Sequence, residues 1–375
     1  MRPSSLLLGV ALLLPCGYVQ AQDPALSQFF ANRTYLNPAF TGLEDGLHLT
    51  ASARNQWLAA DRGYNFFTVT AEWQERCWRS GFGLTMTHAR EGLAPLVSSA
   101  AGLLYSYVVP THGGNWHFGL KYSFNQKNLD WSSLTFSDEI DPVFGDIYES
   151  IVASGQETVQ FHDFAFGVVR RWDSRIKTNG RNKYSLRSHL GLAVHHAASL
   201  FGDGPDESFL RTGAEVPARI TLHGGTIIPL EFLQGVGRRI VLSPNFRFES
   251  QGGSPLDPAK SLTLFSGGLY VIFLNQFTAG ALYHSRAPFA GAKHTNAMTV
   301  SVGFSSQPQG TKRDAFYLGL SVDVNASGLG IHSNNVYELN LRYAFRGLKS
   351  FCDRGQGKGR ARPRGKVMDC PDFAY

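Results

Sequence analysis

Histidines and clustered carboxylates are the residues of this 375-residue sequence whose chemistry could support catalysis or metal binding. His195 and His196 are adjacent, and neighbours in a strand point to opposite faces, so they cannot readily share a metal ion. A second cluster consists of Asp138, Glu139, Asp141 and Asp146. This cluster could bind Ca²⁺ or provide an acid pair, but its spacing matches no twelve-residue calcium loop. Because a Gly-x-Ser-x-Gly elbow and a phosphate-binding loop are also absent from the sequence, we expect no enzyme, no cofactor and no metal.

The first 21 residues have the pattern of a signal peptide. Arg2 is followed by the apolar run 6–14, and then by small and polar residues that end at Ala21. The run is too short to cross a bilayer as a helix, which needs about 20 residues. Cys16 follows Pro15, where a lipoprotein requires a small residue, so we expect cleavage after Ala21 rather than lipid attachment.

The composition favours a membrane barrel over a soluble secreted protein. No other segment is long and apolar enough for a membrane helix. Neither a membrane barrel nor a soluble secreted protein needs such a helix, so this observation does not distinguish the two classes. Charged residues make up 17% of the chain, aromatic residues make up 13%, and there are 40 glycines. Short strands, tight turns and bulky residues at membrane interfaces have this composition.

Apolar and polar residues alternate strictly in many segments, as they do in residues 316–324 and 337–345. Alternation gives a strand one apolar and one polar face, and runs of about 10 residues are typical of transmembrane strands. A soluble β-sandwich shows the same alternation in shorter strands. We predict an all-β, antiparallel transmembrane barrel of about 14 strands. The predicted strands are 47–57, 64–76, 78–90, 97–109, 115–128, 158–172, 183–197, 216–228, 238–250, 260–273, 275–285, 296–306, 314–324 and 335–346.

The connections between these strands predict the orientation of a multi-pass outer-membrane protein. The connections after odd-numbered strands include the long segments 129–157 and 198–215, whereas those after even-numbered strands are mostly short. Bacterial barrels have long outer loops and short periplasmic turns. An even number of strands therefore predicts that both termini lie in the periplasm, with membrane lipid around the barrel.

The polar faces of the predicted strands carry charges of both signs. A selective pore tends to have one dominant sign at its constriction, so mixed signs favour ion pairs across the lumen or a segment that fills it. Residues 22–46 precede the predicted barrel of residues 47–346 and are a candidate plug. The predicted lumenal charges are Arg54, Glu72, Lys121, Asp163, Arg247, Glu249, Asp323, Glu338 and Arg342.

The basic character of the chain comes from its last residues. Outside Arg2 and residues 346–375, basic and acidic residues are equal in number. The predicted periplasmic tail, 347–375, is either a solvated segment or a docking site for an acidic periplasmic partner. Without aromatic platforms, no nucleic-acid partner is expected. The proposed docking residues are Arg360, Arg362 and Arg364.

The cysteines suggest one disulfide in the tail. Cys352 and Cys370 lie on either side of the basic cluster, and a disulfide between them would stabilise the fold by about 3 kcal/mol. Cys77 lies in a short predicted turn, and we expect it to be a free thiol.

Several segments resemble the PorP/SprF family. They are Tyr35-Leu36-Asn37-Pro38-Ala39-Phe40-Thr41-Gly42, Arg54-Asn55-Gln56-Trp57, residues 134–145 and 283–291, the closing strands, and Cys370-Pro371-Asp372-Phe373. The resemblance implies an outer-membrane barrel of the type IX secretion and gliding-motility machinery. It further implies two kinds of partner, a secreted surface protein or adhesin with a C-terminal sorting domain, and periplasmic secretion components. The resulting candidates for partner or lumen contacts are Asn37, Pro38, Arg54, Gln56, Trp57, Asp323, Glu338 and Arg342.

Two functions remain open from the sequence. The first is a non-enzymatic barrel that helps to export or anchor a dedicated surface protein. The second is an outer-membrane channel for small or hydrophobic solutes. The mixed lumenal charge and the lack of an apolar inner pocket favour the first function.

Overall fold

Fourteen antiparallel strands close into a barrel in the computed structural model, which describes residues 23–57, 63–92, 96–134, 136, 139–141, 145–146, 155–178, 182–202, 204–230, 240–252, 261–287, 295–306, 314–325 and 335–345. Each strand pairs with its neighbours in the chain, β1 pairs with β16 to close the barrel, and β5 pairs with β8. The predicted fold class and strand number are therefore confirmed. The barrel strands are β1 Leu47–Gln56, β2 Tyr64–Glu75, β3 Ser80–Glu91, β4 Leu96–Thr111, β5 Gly114–Leu129, β8 Thr158–Thr178, β9 Asn182–His195, β10 Arg219–Pro229, β11 Ile240–Gly252, β12 Ser261–Phe273, β13 Phe277–Ala287, β14 Thr295–Ser305, β15 Ala315–Asn325 and β16 Val336–Phe345.

The remaining elements are short. A two-stranded ribbon, β6 Ile140–Asp141 and β7 Gly145–Asp146, lies in the connection between β5 and β8. One α-helical turn, α1 Arg33–Leu36, precedes the barrel, and single 3₁₀ turns occur at Pro38–Phe40, Trp131–Ser133 and Ala197–Phe201. In the part of the chain that the structure describes, no helix is long and apolar enough to cross a membrane.

Period-two alternation explains the two faces of the wall. On β16 the side chains of Glu338, Asn340 and Arg342 are buried inside, while Tyr337 and Leu341 are exposed outside. Burial on β15 alternates in the same way. The apolar outer surface suits lipid, and the polar inner surface must find its partners inside the barrel.

The two ends of the barrel differ in their connections. One end, called here the loop end, carries the connections 57–63, 92–95, 130–157, 196–218, 253–260, 288–294 and 326–335. The opposite end, called the turn end, carries 76–79, 112–113, 179–181, 230–239, 274–276 and 306–314. Long and short connections alternate only in part. The loop-end connection 92–95 is as short as the turn 76–79, and the turn-end connections 230–239 and 306–314 are longer than 57–63 and 288–294.

The structure corrects two expectations. The strand β8 reaches Thr178 rather than residue 172, because it forms a long pair with β9 beyond the predicted end. Cys77 is disulfide-bonded, so the expectation of a free thiol is wrong. Disulfide pairing depends on distance in space, which spacing along the sequence does not reveal. The tail, with Cys352 and Cys370, lies outside the described residues.

Candidate functional site

Residues 23–46, called here the lumen segment, run through the barrel from the loop end to the turn end. Asp23 lies beside His196 and Gln251, which border the long connections after β9 and β11. Gly42 lies against Trp73 and Gly81, beside the β2–β3 turn at the opposite end. Nearly all side chains of residues 26–44 are buried, so the segment and the inner wall form one packed interface.

At the loop end, Asp23 is held by charged and amide groups of the wall. Its carboxylate Oδ2 lies 2.8 Å from His196 Nε2 and 3.2 Å from Arg219 Nη1. Its backbone N–H donates to Gln251 Oε1 at 3.1 Å. His196 Nδ1 lies 3.1 Å from Asp163 Oδ2, so the imidazole joins the lumen segment to β8.

Charge pairing at this contact sets the protonation of both groups. Burial raises the pKa of the Asp23 carboxyl, but His196 and Arg219 outweigh burial and hold this pKa well below its usual range. Burial lowers the pKa of His196, yet Asp23 and Asp163 raise it to about 9. At neutral pH the contact between Asp23 and His196 therefore joins a carboxylate to an imidazolium.

The two adjacent histidines do not point to opposite faces, and that expectation is wrong. His195 ends β9 and is buried, with Nε2 3.3 Å from the carbonyl oxygen of Leu36. His196 leaves the strand with φ 54°, in the left-handed region. This backbone turn redirects a side chain that a continued strand would have placed outside, so both histidines contact the lumen segment.

In the middle of the lumen, Glu338 accepts hydrogen bonds from the lumen segment. The backbone N–H groups of Ser27 and Gln28 donate to its two carboxylate oxygens at 2.7 and 3.1 Å. Arg54 Nη1 lies 3.5 Å from Glu338 and 3.4 Å from Asp323. The Ser27 hydroxyl lies between these charges, accepting from Arg54 and donating to Asp323.

A chain of hydrogen bonds extends this contact around the wall. Thr299 Oγ1 donates to Asp323 Oδ1 at 2.5 Å, and His284 Nε2 lies 2.7 Å from the same hydroxyl. His284 Nδ1 lies 2.7 Å from the hydroxyl of Ser266, which accepts from Arg247. Arg247 also donates to the carbonyl oxygen of Leu26 at 3.0 Å. Bonds between strands and bonds to the lumen segment thereby satisfy several buried polar groups of this part of the inner face.

The opposite wall holds the lumen segment by close packing. Asn37 is fully buried, and its Nδ2 lies 3.3 and 3.1 Å from the carbonyl oxygens of Val168 and Leu192 and 3.0 Å from His223 Nε2. Its Oδ1 accepts from Ala39 N–H at 2.9 Å and so caps the 3₁₀ turn that Pro38 begins. An Asn cap followed by Pro is favourable because the side chain satisfies a free N–H and the ring presets φ.

This contact requires glycine in the wall. Gly119 of β5 and Gly167 of β8 are direct cross-strand partners. A Cβ at Gly119 would lie 2.1 Å from the nitrogen of Ala39, and one at Gly167 would lie 1.9 Å from Asn37 Oδ1. The glycine pair therefore forms the depression that receives residues 37–39.

At the turn end, charges again join the lumen segment to the wall. Glu44 Oε1 lies 2.6 Å from Arg33 and 2.7 Å from Arg342 of β16. Arg342 Nη2 also donates to His48 Nδ1 at 3.2 Å. The backbone N–H of Gly42 donates to Glu72 Oε2 at 2.9 Å. The lumen segment is thus fastened at both ends as well as in the middle.

Two gaps of very different size lie near the lumen segment, and the larger, of about 530 Å³, is lined by Arg54, Phe66 and Glu338 together with outward-facing residues such as Phe67 and Leu320. The smaller gap, lined by Phe30, Arg33, His189 and Tyr270, has a volume of about 20 Å³, which is about enough for one water molecule. Phe29 and Phe40 pack in a buried cluster nearby. At this level of the barrel, the side chains of the lumen segment and of the wall therefore leave little free space.

Most of the predicted lumenal residues come together in this interface. Arg54, Asp323 and Glu338 meet around Ser27, Arg342 pairs with Glu44, and Asn37 and Pro38 fill the glycine depression. Gln56 and Trp57 instead lie at the loop end of β1, where Trp57 is exposed. Sequence reasoning did not identify Ser27, Glu44 or the glycine pair. Both glycines lie on the inner faces of their strands, and this position could have indicated a close contact inside the barrel.

The other candidates contribute less to the site. Glu139 Oε2 accepts from the N–H of Phe136 at 3.0 Å, so it takes part in a local turn. Asp141 and Asp146 lie in the ribbon, and Asp138 is outside the described residues, as are Arg360, Arg362 and Arg364. Among the residues that are described, no cluster of three or more His, Cys, Asp or Glu could hold a metal ion.

Comparisons with known proteins give a family match and distant structural similarities. The model of the family described as type IX secretion system membrane protein PorP/SprF matches residues 18–343. No curated protein matches the chain. Among solved structures, the chain is similar to the CymD monoaromatic hydrocarbon channel (13% identity, 89% of this chain and 95% of that chain, TM-score 0.43). It is also similar to a Pseudomonas aeruginosa FadL homologue (12%, 82% and 93%, 0.42) and to Acinetobacter baumannii Omp33 (8%, 81% and 100%, 0.38).

Proposed function

The chain belongs to the PorP/SprF family of type IX secretion system membrane proteins, and from this membership we propose that it helps to export or anchor a dedicated cell-surface protein. The barrel is embedded in the outer membrane and does not act as an enzyme. The partner is a secreted protein or adhesin with a C-terminal sorting domain, which serves gliding motility. On the inner side, the barrel contacts periplasmic components of the secretion system.

The observation that carries this proposal is the filled lumen. Glu338 accepts hydrogen bonds from two successive N–H groups of the lumen segment. The side chain of Asn37 donates to backbone carbonyl oxygens of β8 and β9. A solute channel needs a continuous path, whereas a docking barrel needs a rigid platform. Ion pairs at both ends of the lumen segment fix it to the wall, and this rigidity favours a docking barrel over a solute channel.

The partial alternation of connections supports an orientation with the loop end outside and the turn end in the periplasm. Phe345, at the end of β16, then faces the periplasm together with the basic tail. Asp23 lies at the loop end, so the N-terminal end of the lumen segment faces outside. In this orientation the two ends of the described chain lie on opposite sides of the membrane.

A deletion strain tests the function. We expect that deletion of the gene removes one secreted protein from the cell surface, as measured by mass spectrometry of peptides released by protease from intact cells. Expression of the wild-type chain should restore that protein. An unchanged surface proteome in the deletion strain would refute the proposed role.

Conductance in a planar bilayer separates the docking barrel from the solute channel. We expect the purified wild-type barrel to show little conductance and a variant without residues 24–43 to conduct, since the segment occupies the lumen. A large steady conductance of the wild type would favour the channel for small or hydrophobic solutes.

The tail is tested by truncation after Arg346. We expect a barrel that still folds and inserts, as judged by heat-modifiable migration on gels, but that no longer retains its partner at the surface. Charge reversal at Arg360, Arg362 and Arg364 should have the same effect, because an acidic periplasmic partner would be repelled. Full surface display by the truncated barrel would mean that the tail has no docking role.

A further inference from the structure

The connection between β9 and β10 carries three large apolar side chains that the rest of the described protein leaves exposed. Leu200 is 46% exposed, Phe201 is 82% exposed and Leu210 is 57% exposed. All three lie in residues 196–218, beyond the ends of β9 and β10. Apolar groups kept exposed on a structured loop commonly mark a contact with another protein.

Internal hydrogen bonds hold this connection in shape. Ser199 Oγ donates to the carbonyl oxygen of Val216 at 2.5 Å, and the N–H of Val216 donates to Pro205 at 3.0 Å. The N–H of Glu207 donates to the carbonyl oxygen of Ala214 at 2.9 Å. Two strand-like arms therefore run side by side, and the apolar side chains project from a defined surface.

The neighbouring connection and the lumen segment brace the base of this surface. Lys127 of β5 pairs with Glu207, and the N–H of Gln156 donates to the carbonyl oxygen of Phe209 at 2.8 Å. His196, the first residue of the connection, is fixed by Asp23 and Asp163. A surface that is ordered before binding loses little conformational entropy when a partner arrives.

The exposed charged residues described in this connection are two acids and one base. Asp206 and Glu215 face each other in an isolated β-bridge, and both are exposed. Arg211 is the nearby exposed base. A complementary partner would present an apolar patch with lysine or arginine beside it.

We propose that this surface, defined by Leu200, Phe201, Leu210, Asp206 and Glu215, is the docking site of the secreted partner, a folded protein with an apolar patch flanked by basic residues. The inference rests on the proposed function and adds where on the barrel the partner is received. The filled lumen supports an outside location, because a folded domain cannot enter beside the lumen segment. The bracing by Asp23 joins the docking site to the interior of the barrel.

The test defines the partner as the secreted protein that disappears from the surface in the deletion strain. Phe201→Ser with Leu210→Ser is introduced into the full chain, and the surface amount of that protein is measured by quantitative mass spectrometry. We expect at least a tenfold loss from the surface, with the protein recovered in the medium. Leu274→Ser, an exposed apolar position at the turn end, is the matched control and should retain wild-type display.

Charge reversal provides a second test that leaves the apolar residues in place. Asp206→Lys with Glu215→Lys should weaken display several-fold, and the loss should be smaller in high salt, which screens exposed charges. Barrel abundance and heat-modifiable migration show that each variant is folded and inserted.

The outcomes separate this inference from the proposed function. If the deletion strain loses no surface protein, the function and the docking site both fail. If deletion removes the protein but the double serine variant displays it normally, the function stands and this docking site is refuted. If the serine variant displays the protein normally but is extracted from the membrane more readily than the control, the occupant of the apolar surface is lipid, and the proposal is again refuted.

Discussion

Two cross-strand pairs on opposite walls of the barrel hold the same lumen segment by different means. Arg54 of β1 faces Glu338 of β16 in the strand register, and this pair binds the segment through charge. Gly119 of β5 faces Gly167 of β8, and this pair lets the segment approach the backbone. Charge determines which polar groups must be present, whereas glycine determines how much space is available.

The difference teaches how the lumen can be filled specifically. Buried charges penalise any arrangement that leaves one of them without a partner, so the charged wall favours a single alignment of Ser27 and Gln28. The wall at Gly119 and Gly167 makes no demand on charge but leaves no room for added volume, because packed interiors respond to a single methyl group. Together, the two walls specify both the register and the depth of the segment.

Removal of a carboxylate from the charged wall should have the largest effect. Glu338→Ala removes one of the two carboxylates beside Arg54 and the acceptor of two buried N–H groups, and we expect the free energy of unfolding to fall by about 3–5 kcal/mol. The measurement is denaturant unfolding of the barrel in lipid or detergent. Asp45→Ala, which breaks the exposed pair with Arg76, is the control and should cost less than about 1 kcal/mol. Equal losses would show that burial does not distinguish these pairs.

The residue next to Glu338 tests whether charge is tolerated on the outer face. Leu339→Arg would place a cation in lipid, at a cost of about 2–4 kcal/mol near the bilayer midplane. We expect reduced barrel assembly, measured as the heat-modifiable fraction in outer membranes, while Leu339→Phe should assemble normally. If both variants assembled equally well, the assignment of inner and outer faces would be wrong.

A methyl group on the glycine wall should have an intermediate effect. Gly167→Ala forces Asn37 out of contact, and we expect a loss of about 1–3 kcal/mol with increased bilayer conductance. Gly267→Ala is the control, because its Cβ would meet the side chain of Phe265 at 3.1 Å, away from the lumen segment. Unchanged stability and conductance in Gly167→Ala would mean that the depression is not needed.

The smallest expected effect concerns pH at the loop end. The pKa of His196 is raised from 6.5 to about 9, so its stabilising charge is fully present below about 6.5 and is lost as the pH rises through 9. We expect faster hydrogen exchange in residues 23–31 above pH 9, after correction for intrinsic rates, while exchange near Asn37 changes little. In His196→Gln this pH dependence should disappear, and its persistence would assign it to another group.

The inner and outer faces could be predicted from sequence because the period of a strand is local. Arg54, Asp323, Glu338 and Arg342 were all placed inside the barrel by alternation alone, and the structure confirms their burial or near-burial. His196 was misplaced because a left-handed residue ends the alternation, and nothing in the pair of histidines signals that turn. The role of the glycine pair was also missed, since a glycine in a strand indicates a bend, a bulge or a close contact equally well.

The sequence by itself determined a barrel of fourteen strands, its family, and the mixture of charges that its interior must accommodate. These properties follow from periodicity, composition and short motifs. Such signals are local, because each can be read from one stretch of sequence without knowledge of its neighbours in space. Only the tertiary structure decided that Ser27 lies between Arg54 and Asp323, and that Asn37 meets the wall at Gly167. The contacts of Ser27 with Asp323 and of Asn37 with Gly167 join residues more than a hundred positions apart, and closure of the barrel is what brings them together.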